Sequence, residues 1–144
     1  MRLFTRKRAA PTLTAYRDGG DLVVLVSAPD AARADSEVLA DSGLDLTRPL
    51  LVRHHLLLPD AAAVVRAGEL LAQDGYQLTV VEHGTVIHVR AWRTQVLTAM
   101  SASQERSRMA GLAQRLGGDV AGWDACGPPS TGPEECSAHG EVSR

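Results

Sequence analysis

The stretch Leu50-Leu51-Val52-Arg53-His54-His55-Leu56-Leu57-Leu58-Pro59-Asp60 decides how this chain folds. It is an apolar run interrupted only by Arg53, His54 and His55, and Pro59 closes it because proline has no amide hydrogen to extend a ladder. Read as a strand, it alternates. Leu50, Val52, His54, Leu56 and Leu58 share one face, and Leu51, Arg53, His55 and Leu57 share the other. The first set is apolar enough to lie beneath helices.

Working toward the C-terminus, Asp60 is a helix cap, and Ala61, Val64, Gly68, Leu71 and Ala72 recur at helical spacing until Gly75. Tyr76 to Glu82 and Thr85 to Trp92 read as an antiparallel pair turning at His83-Gly84. A further helix is expected from about Ser101, with Gln104 completing a capping box and Met109, Leu112, Ala113 and Leu116 as its buried stripe. Gly117-Gly118 stops it, and Val120 to Ala125 forms a last strand. Toward the N-terminus, Asp30 caps a helix running to Ser42 with Gly43 as its left-handed stop. Leu13 to Arg17 and Leu22 to Val26 flank Asp18-Gly19-Gly20-Asp21 as a β-hairpin.

The order from Leu50 is β-α-β-β-α-β, which predicts an α+β, ferredoxin-like βαββαβ sandwich with an N-terminal β-hairpin and an extra helix. The expected divisions are a basic flexible arm over 1–12, the hairpin over 13–29, the main domain over 30–125 and a disordered Pro/Gly-rich tail over 126–144. A chain of 144 residues suits one core. With aromatics at only 3% that core must be aliphatic.

A formal charge of −2 exerts no global pull toward nucleic acid or membrane, although the ends differ. Arg2, Arg6, Lys7 and Arg8 open the chain without an acid, whereas Asp124, Glu134, Glu135 and Glu141 face only Arg144 after Trp123. No apolar run approaches the roughly 18 residues of a membrane span, and the basic start lacks a following signal-peptide core, so the expected location is cytoplasmic. The cysteines Cys126 and Cys136 flank the tail and do not form the framework of a disulfide-stapled domain.

Catalytic chemistry is not written in the chain. Cys126, Cys136 and His139 have no zinc-finger spacing, and strand geometry sends the adjacent rings of His54 and His55 to opposite faces. Gly117-Gly118 lacks the Lys and Ser/Thr of a phosphate loop, and there is no nucleophile elbow. The expectation is a non-enzyme without cofactor or metal.

The alternation instead suggests a surface. With Ile87, Val89 and Ala91 inward, His88, Arg90 and Trp92 point outward and join Arg53 and His55 on the sheet face opposite the helices. Two readings are open: a solvated face sheltered by the hairpin or a second copy of the chain, or a partner-binding face. His54, pointing inward, reads as a hydrogen-bonded core histidine. Trp123, between Gly122 and Asp124, reads as a large ring closing the end of an aliphatic core, with a contact role as the alternative.

Val52-Arg53-His54-His55-Leu56-Leu57-Leu58-Pro59-Asp60, Leu70-Leu71-Ala72-Gln73-Asp74-Gly75-Tyr76 and Leu112-Ala113-Gln114-Arg115-Leu116-Gly117-Gly118-Asp119-Val120-Ala121-Gly122-Trp123-Asp124 together resemble the RraB family, protein regulators that inhibit ribonuclease E. The resemblance spans roughly Asp35 to Asp124, and its most specific element is Gly-Gly followed by Gly122-Trp123-Asp124. It implies a ferredoxin-like sandwich acting by protein contact on a ribonuclease E-type enzyme or another RNA-decay protein. The candidate contact residues are Arg53, His55, His88, Arg90, Trp92, Gly122 and Trp123. Alternatives are single-stranded RNA bound on the open face through Arg53, Arg90 and Trp92, or a homodimer paired through the hairpin.

Overall fold

The structure, a computed structural model, describes residues 16–129. The basic arm, the first arm of the hairpin as far as Ala15, and the tail from Ser130 lie outside them. Strand β1 (Val23–Ala28) is followed by helix α1 (Asp35–Ser42), β2 (Leu50–Leu58), α2 (Ala61–Ala72), β3 (Gln77–His83), β4 (Ile87–Gln95), α3 (Ala99–Arg115) and β5 (Asp119–Gly127). The result is a mixed α+β fold whose five strands form one antiparallel sheet in the order β1-β5-β2-β4-β3. β2 lies at the centre, with β4 and β5 on its flanks.

All three helices cover the face carrying Leu50, Val52, Leu56 and Leu58. Ala63, Ala67 and Leu71 of α2 and Met109, Leu112 and Ala113 of α3 pack on Leu56, Leu58, Val89 and Ala91. Val38 and Leu39 of α1, with Leu97 and Ala102, cover Leu50, Val52 and Trp123. The aliphatic core expected from composition thus forms two neighbouring clusters, one beneath each end of the helical layer.

Local signals explain most boundaries. Asp60 Oδ1 accepts the Ala63 amide at 2.9 Å, capping α2, and Gly43 ends α1 at φ 72°. Gly118 lies so close to β2 that an added Cβ would stand 2.1 Å from the Leu57 carbonyl oxygen. At Gly122, φ is 89° and a Cβ would stand 2.3 Å from the Ala28 carbonyl oxygen, so β1 could not approach β5 with any other residue there. No helix among the described residues is long and apolar enough to cross a membrane.

Several expected boundaries move. Asp30 does not cap α1: its carboxylate holds the Ala32 amide at 2.8 Å in a local turn, and the helix begins only after Ala34. α3 starts earlier than Ser101 because the capping box is Thr98 with Ser101, not Ser101 with Gln104. Thr98 Oγ1 accepts the Ser101 amide and Ser101 Oγ accepts the Thr98 amide, both at 3.0 Å. β4 runs on to Gln95, and the turn between β3 and β4 is Gly84-Thr85-Val86 rather than His83-Gly84. β5 continues to Gly127, so Cys126 is a buried strand residue and not the start of a tail. The second arm of the expected hairpin forms as β1, but its sheet partner is β5. Tyr16 to Leu22 crosses the helix-free face as a strap. Finally, β3 carries a bulge between Val80 and Glu82 on the free edge of the sheet.

Candidate functional site

On β2 the alternation that sends Val52 and His54 under the helices sends Arg53 and His55 to the opposite face. Two guanidiniums there, Arg53 and Arg90 of β4, require counter-ions if the face is covered. Covered it is. Tyr16 and Leu22 of the strap pack on Leu51, Trp92 and Cys126, and the Tyr16 amide donates to Thr94 Oγ1 at 2.9 Å. The Asp18 side chain, wholly inaccessible to solvent, reaches down between the two arginines, accepting from Arg53 Nη1 at 2.9 Å and from Arg90 Nε at 2.8 Å.

Asp124 completes the pairing from β5. Its register opposite Arg53 puts the two side chains on one face, and the guanidinium grips the carboxylate at both oxygens, at 2.7 and 2.9 Å. His55 Nε2 donates to Asp124 Oδ2 at 2.9 Å, and His55 Nδ1 meets His88 Nε2 at 2.9 Å. The Arg53 and His55 side chains are only 13% and 17% exposed. The face therefore holds one connected polar network running from Arg90 through Asp18, Arg53, Asp124 and His55 to His88.

The electrostatics follow from that wiring. Burial opposes ionisation of Asp124, but hydrogen bonds from His55 and Arg53 outweigh it and pull the carboxyl down to about 2. Asp18 is likewise lowered, because its bonds to Arg53 and Arg90 exceed the cost of burial. Asp124 holds Arg53 firmly protonated, its pKa raised. His88 is shifted down, first by burial and then by the nearby His55 and Arg90. Burial and the adjacent Asp124 charge push the Cys126 thiol up to about 11, leaving it protonated and poorly nucleophilic.

Of the residues expected at the site, the structure brings Arg53, His55, His88 and Arg90 together. Trp92 lies beside them, but it is only 8% exposed and its indole N–H is occupied by Thr79 Oγ1 at 2.8 Å. Of the two readings left open for this face, the structure favours shelter by the N-terminal segment: the strap covers it, and Asp18 and Asp124 pair with its guanidiniums. The stacking ring and guanidiniums assigned to RNA are engaged within the chain. Gly122 and Trp123 lie apart from this group. Trp123 faces the helices, 1% exposed, and its indole N–H donates to Asp35 Oδ1 at 3.1 Å.

A second polar system, not anticipated from sequence beyond His54, lies under the helices. His54 Nε2 contacts Glu105 Oε1 at 3.2 Å, and Glu105 also accepts from Gln95 at 2.7 Å and Arg93 at 3.2 Å. Arg93 stacks over the Tyr76 ring at 4.2 Å. Burial raises the Glu105 pKa less than its bonds to His54 and Gln95 lower it, so it stays ionised. Arg106 clamps Asp35 beneath Trp123, holding that carboxyl below its ordinary range. A shallow depression of about 650 Å³ opens between Tyr76, Arg93, Glu105 and Arg108, but its charges are paired, Arg93 with Glu105 and Arg108 with Asp74. Among the described residues no group of three or more His, Cys, Asp or Glu side chains converges as a ready metal cage.

Asp18, Asp35, Glu105 and Arg106 were invisible as site residues. The available signal was indirect: an arginine on a covered face implies a carboxylate opposite it. Asp124 was visible only as the residue after Trp123.

Residues 31–125 match the profile of the RraB family, regulator of ribonuclease activity B. The chain belongs to that family. No curated protein and no solved structure matches it closely enough to count as a relative. RraB proteins are named for regulating a ribonuclease, not for a reaction of their own, which agrees with a site whose polar groups are committed to one another. The RraB match begins after the strap and β1, so Asp18 comes from outside the matched residues, whereas Arg53, His55, His88, Arg90 and Asp124 lie within them.

Proposed function

We propose that this RraB-family chain binds a ribonuclease E-type endoribonuclease and lowers its activity by protein contact, modulating RNA decay in the cytoplasm. The observation that carries the reading is the family match across residues 31–125. The strand order β5-β2-β4-β3, with α2 and α3 on one face, supports a ferredoxin-like core of the split βαβ kind for the matched region. The contact face we propose is the part of the sheet that the strap leaves accessible, around His55, His88 and Arg90. Arg53 and Trp92 would shape it from within, whereas Gly122 and Trp123 would act only by holding the sheet in place.

The test is a cleavage assay. Full-length protein is titrated into a ribonuclease E-type enzyme from its own host acting on a structured RNA, together with a pull-down from host lysate. Dose-dependent loss of cleavage with co-purification of the enzyme is expected. Unchanged cleavage at saturating protein, with no ribonuclease or RNA-decay protein enriched, overturns the proposal.

A further inference from the structure

The strap is tied to the sheet at few points. Between Tyr16 and Leu22 it forms no strand and its turn at Gly19-Gly20-Asp21 is exposed. Among the described residues, its hydrogen bonds to the sheet are those of the Tyr16 amide and the Asp18 carboxylate. Otherwise it rests on the Tyr16 and Leu22 side chains, which pack over Leu51, Trp92 and Cys126. An irregular segment held in this way opens at lower free energy than the strands beneath it, where β2 is paired on both sides.

The surface under the strap is set up without it. Arg53 Nε and Nη2 grip Asp124, and His55 holds the same carboxylate, so Arg53 Nη1 stays aimed outward whether or not Asp18 is in place. Arg90, on the neighbouring strand, presents its Nε to the same point. With Asp18 withdrawn, two guanidiniums face one carboxylate, Asp124, in a half-covered groove with an apolar floor of Leu51, Trp92 and Cys126. That balance favours an incoming anion. Arg53, Arg90 and Asp124 lie within the family-matched residues, whereas Asp18 does not. The groove belongs to the RraB domain and its occupant to the segment before it.

We propose that this groove is the receptor for an acidic, extended segment of a partner protein, and that the strap occupies it in cis until the partner displaces it. The segment that fits copies the chemistry of the strap. It carries a carboxylate for Arg53 Nη1 and Arg90 Nε, an aromatic side chain two positions earlier and an aliphatic one four positions later, as Asp18, Tyr16 and Leu22 do. A tethered occupant competes at an effective concentration on the order of millimolar, so only a partner with further contacts of its own gains entry. Identifying that partner with the ribonuclease rests on the function proposed above; the groove does not.

Fluorescence polarisation of a labelled peptide carrying residues 13–22 of this chain tests it, with the full-length protein as receptor. Asp18→Asn, which keeps the side-chain shape and removes the charge, should make the protein bind the peptide at least about tenfold more tightly than the unmodified chain does. The same substitution in the peptide should abolish that gain. In ¹⁵N spectra the Arg90 Nε–H resonance should move in the Asp18→Asn protein and return when the peptide binds. In the unmodified protein, the Tyr16 amide should exchange through local opening, well ahead of the β2 amides. Absence of peptide binding to the variant, binding indifferent to both aspartates, or Tyr16 exchange as slow as that of β2 makes the strap a fixed cover and overturns the proposal. A positive peptide titration beside an unaffected ribonuclease keeps the groove and removes only the ribonuclease as its partner.

Discussion

The two faces of the sheet bury charge by different means. Under the helices, buried polar groups lie among two apolar clusters, and each is tied to a neighbour close in space: His54 to Glu105, Asp35 to Arg106 and Trp123. Under the strap there is little apolar layer, only Leu51, Trp92 and Cys126 with Tyr16 and Leu22. There the ion pairs themselves attach the covering segment. One face is held by area removed from water, the other by Asp18 and Asp124 meeting Arg53 and Arg90. A short segment can cover a sheet without a hydrophobic stripe when it brings a carboxylate to a pair of guanidiniums.

The harshest way to break this comparison is to remove the cover. A chain trimmed to the family-matched residues 31–125 loses β1, the strap and Asp18, exposing β5 and leaving Arg90 without its carboxylate. It is expected to show no cooperative thermal transition by circular dichroism, whereas the full chain shows one. On the helix face, Trp123→Ala should cost about 3–5 kcal/mol in denaturant unfolding, because a fully buried ring leaves a cavity and Asp35 loses a donor. Trp123→Phe should recover most of it.

On the strap face, Asp18→Ala should cost about 2–3 kcal/mol, less than a fully buried pair because Arg53 and Arg90 keep some water. Amide hydrogen exchange should rise across 16–22 and stay low in α2 and α3. Equal acceleration on both faces would show that the strap is not a separate unit. The smallest effect is set by pH. The folded pKa of Asp124 lies below its unfolded 3.8, so its contribution is fully present above that value and lost as pH falls through about 2. The amount is about 2 kcal/mol, and Asp124→Asn should flatten that part of an acid-unfolding profile.

Much of the helix face was legible because it depends on local rules. The alternation in Leu50–Leu58, the cap at Asp60 and the glycine stops at Gly43 and Gly117 each act within a few residues, and the structure follows them. The polar face was half legible. Alternation gathered Arg53, His55, His88 and Arg90 correctly in space, but their partners come from far along the chain. Asp18, read as part of a turn, is 35 residues from Arg53, and nothing local announces that a turn carboxylate will end up fully covered. Trp92 was placed correctly on the outward face, but nothing local shows that Tyr16, Leu22 and Thr79 would close over it. The end of β5 was misplaced because Gly127 and the prolines after it look like the start of a tail, while pairing with β1 and β2 carries the strand through Cys126.

The bulge at Val81 bears on how the protein behaves when concentrated. β3 is an edge strand whose neighbourhood shows Val80, Val81 and Val86 to water, a segment that could add to another sheet. The extra residue breaks the repeat of outward amide and carbonyl groups and turns the strand end, while Glu82 places a charge beside it. A second molecule arriving edge-on meets a ladder out of step with its own. Edge protection here is shared by the inserted residue and Glu82, and deletion of Val81 is expected to raise the turbidity of concentrated protein at an unchanged circular dichroism spectrum.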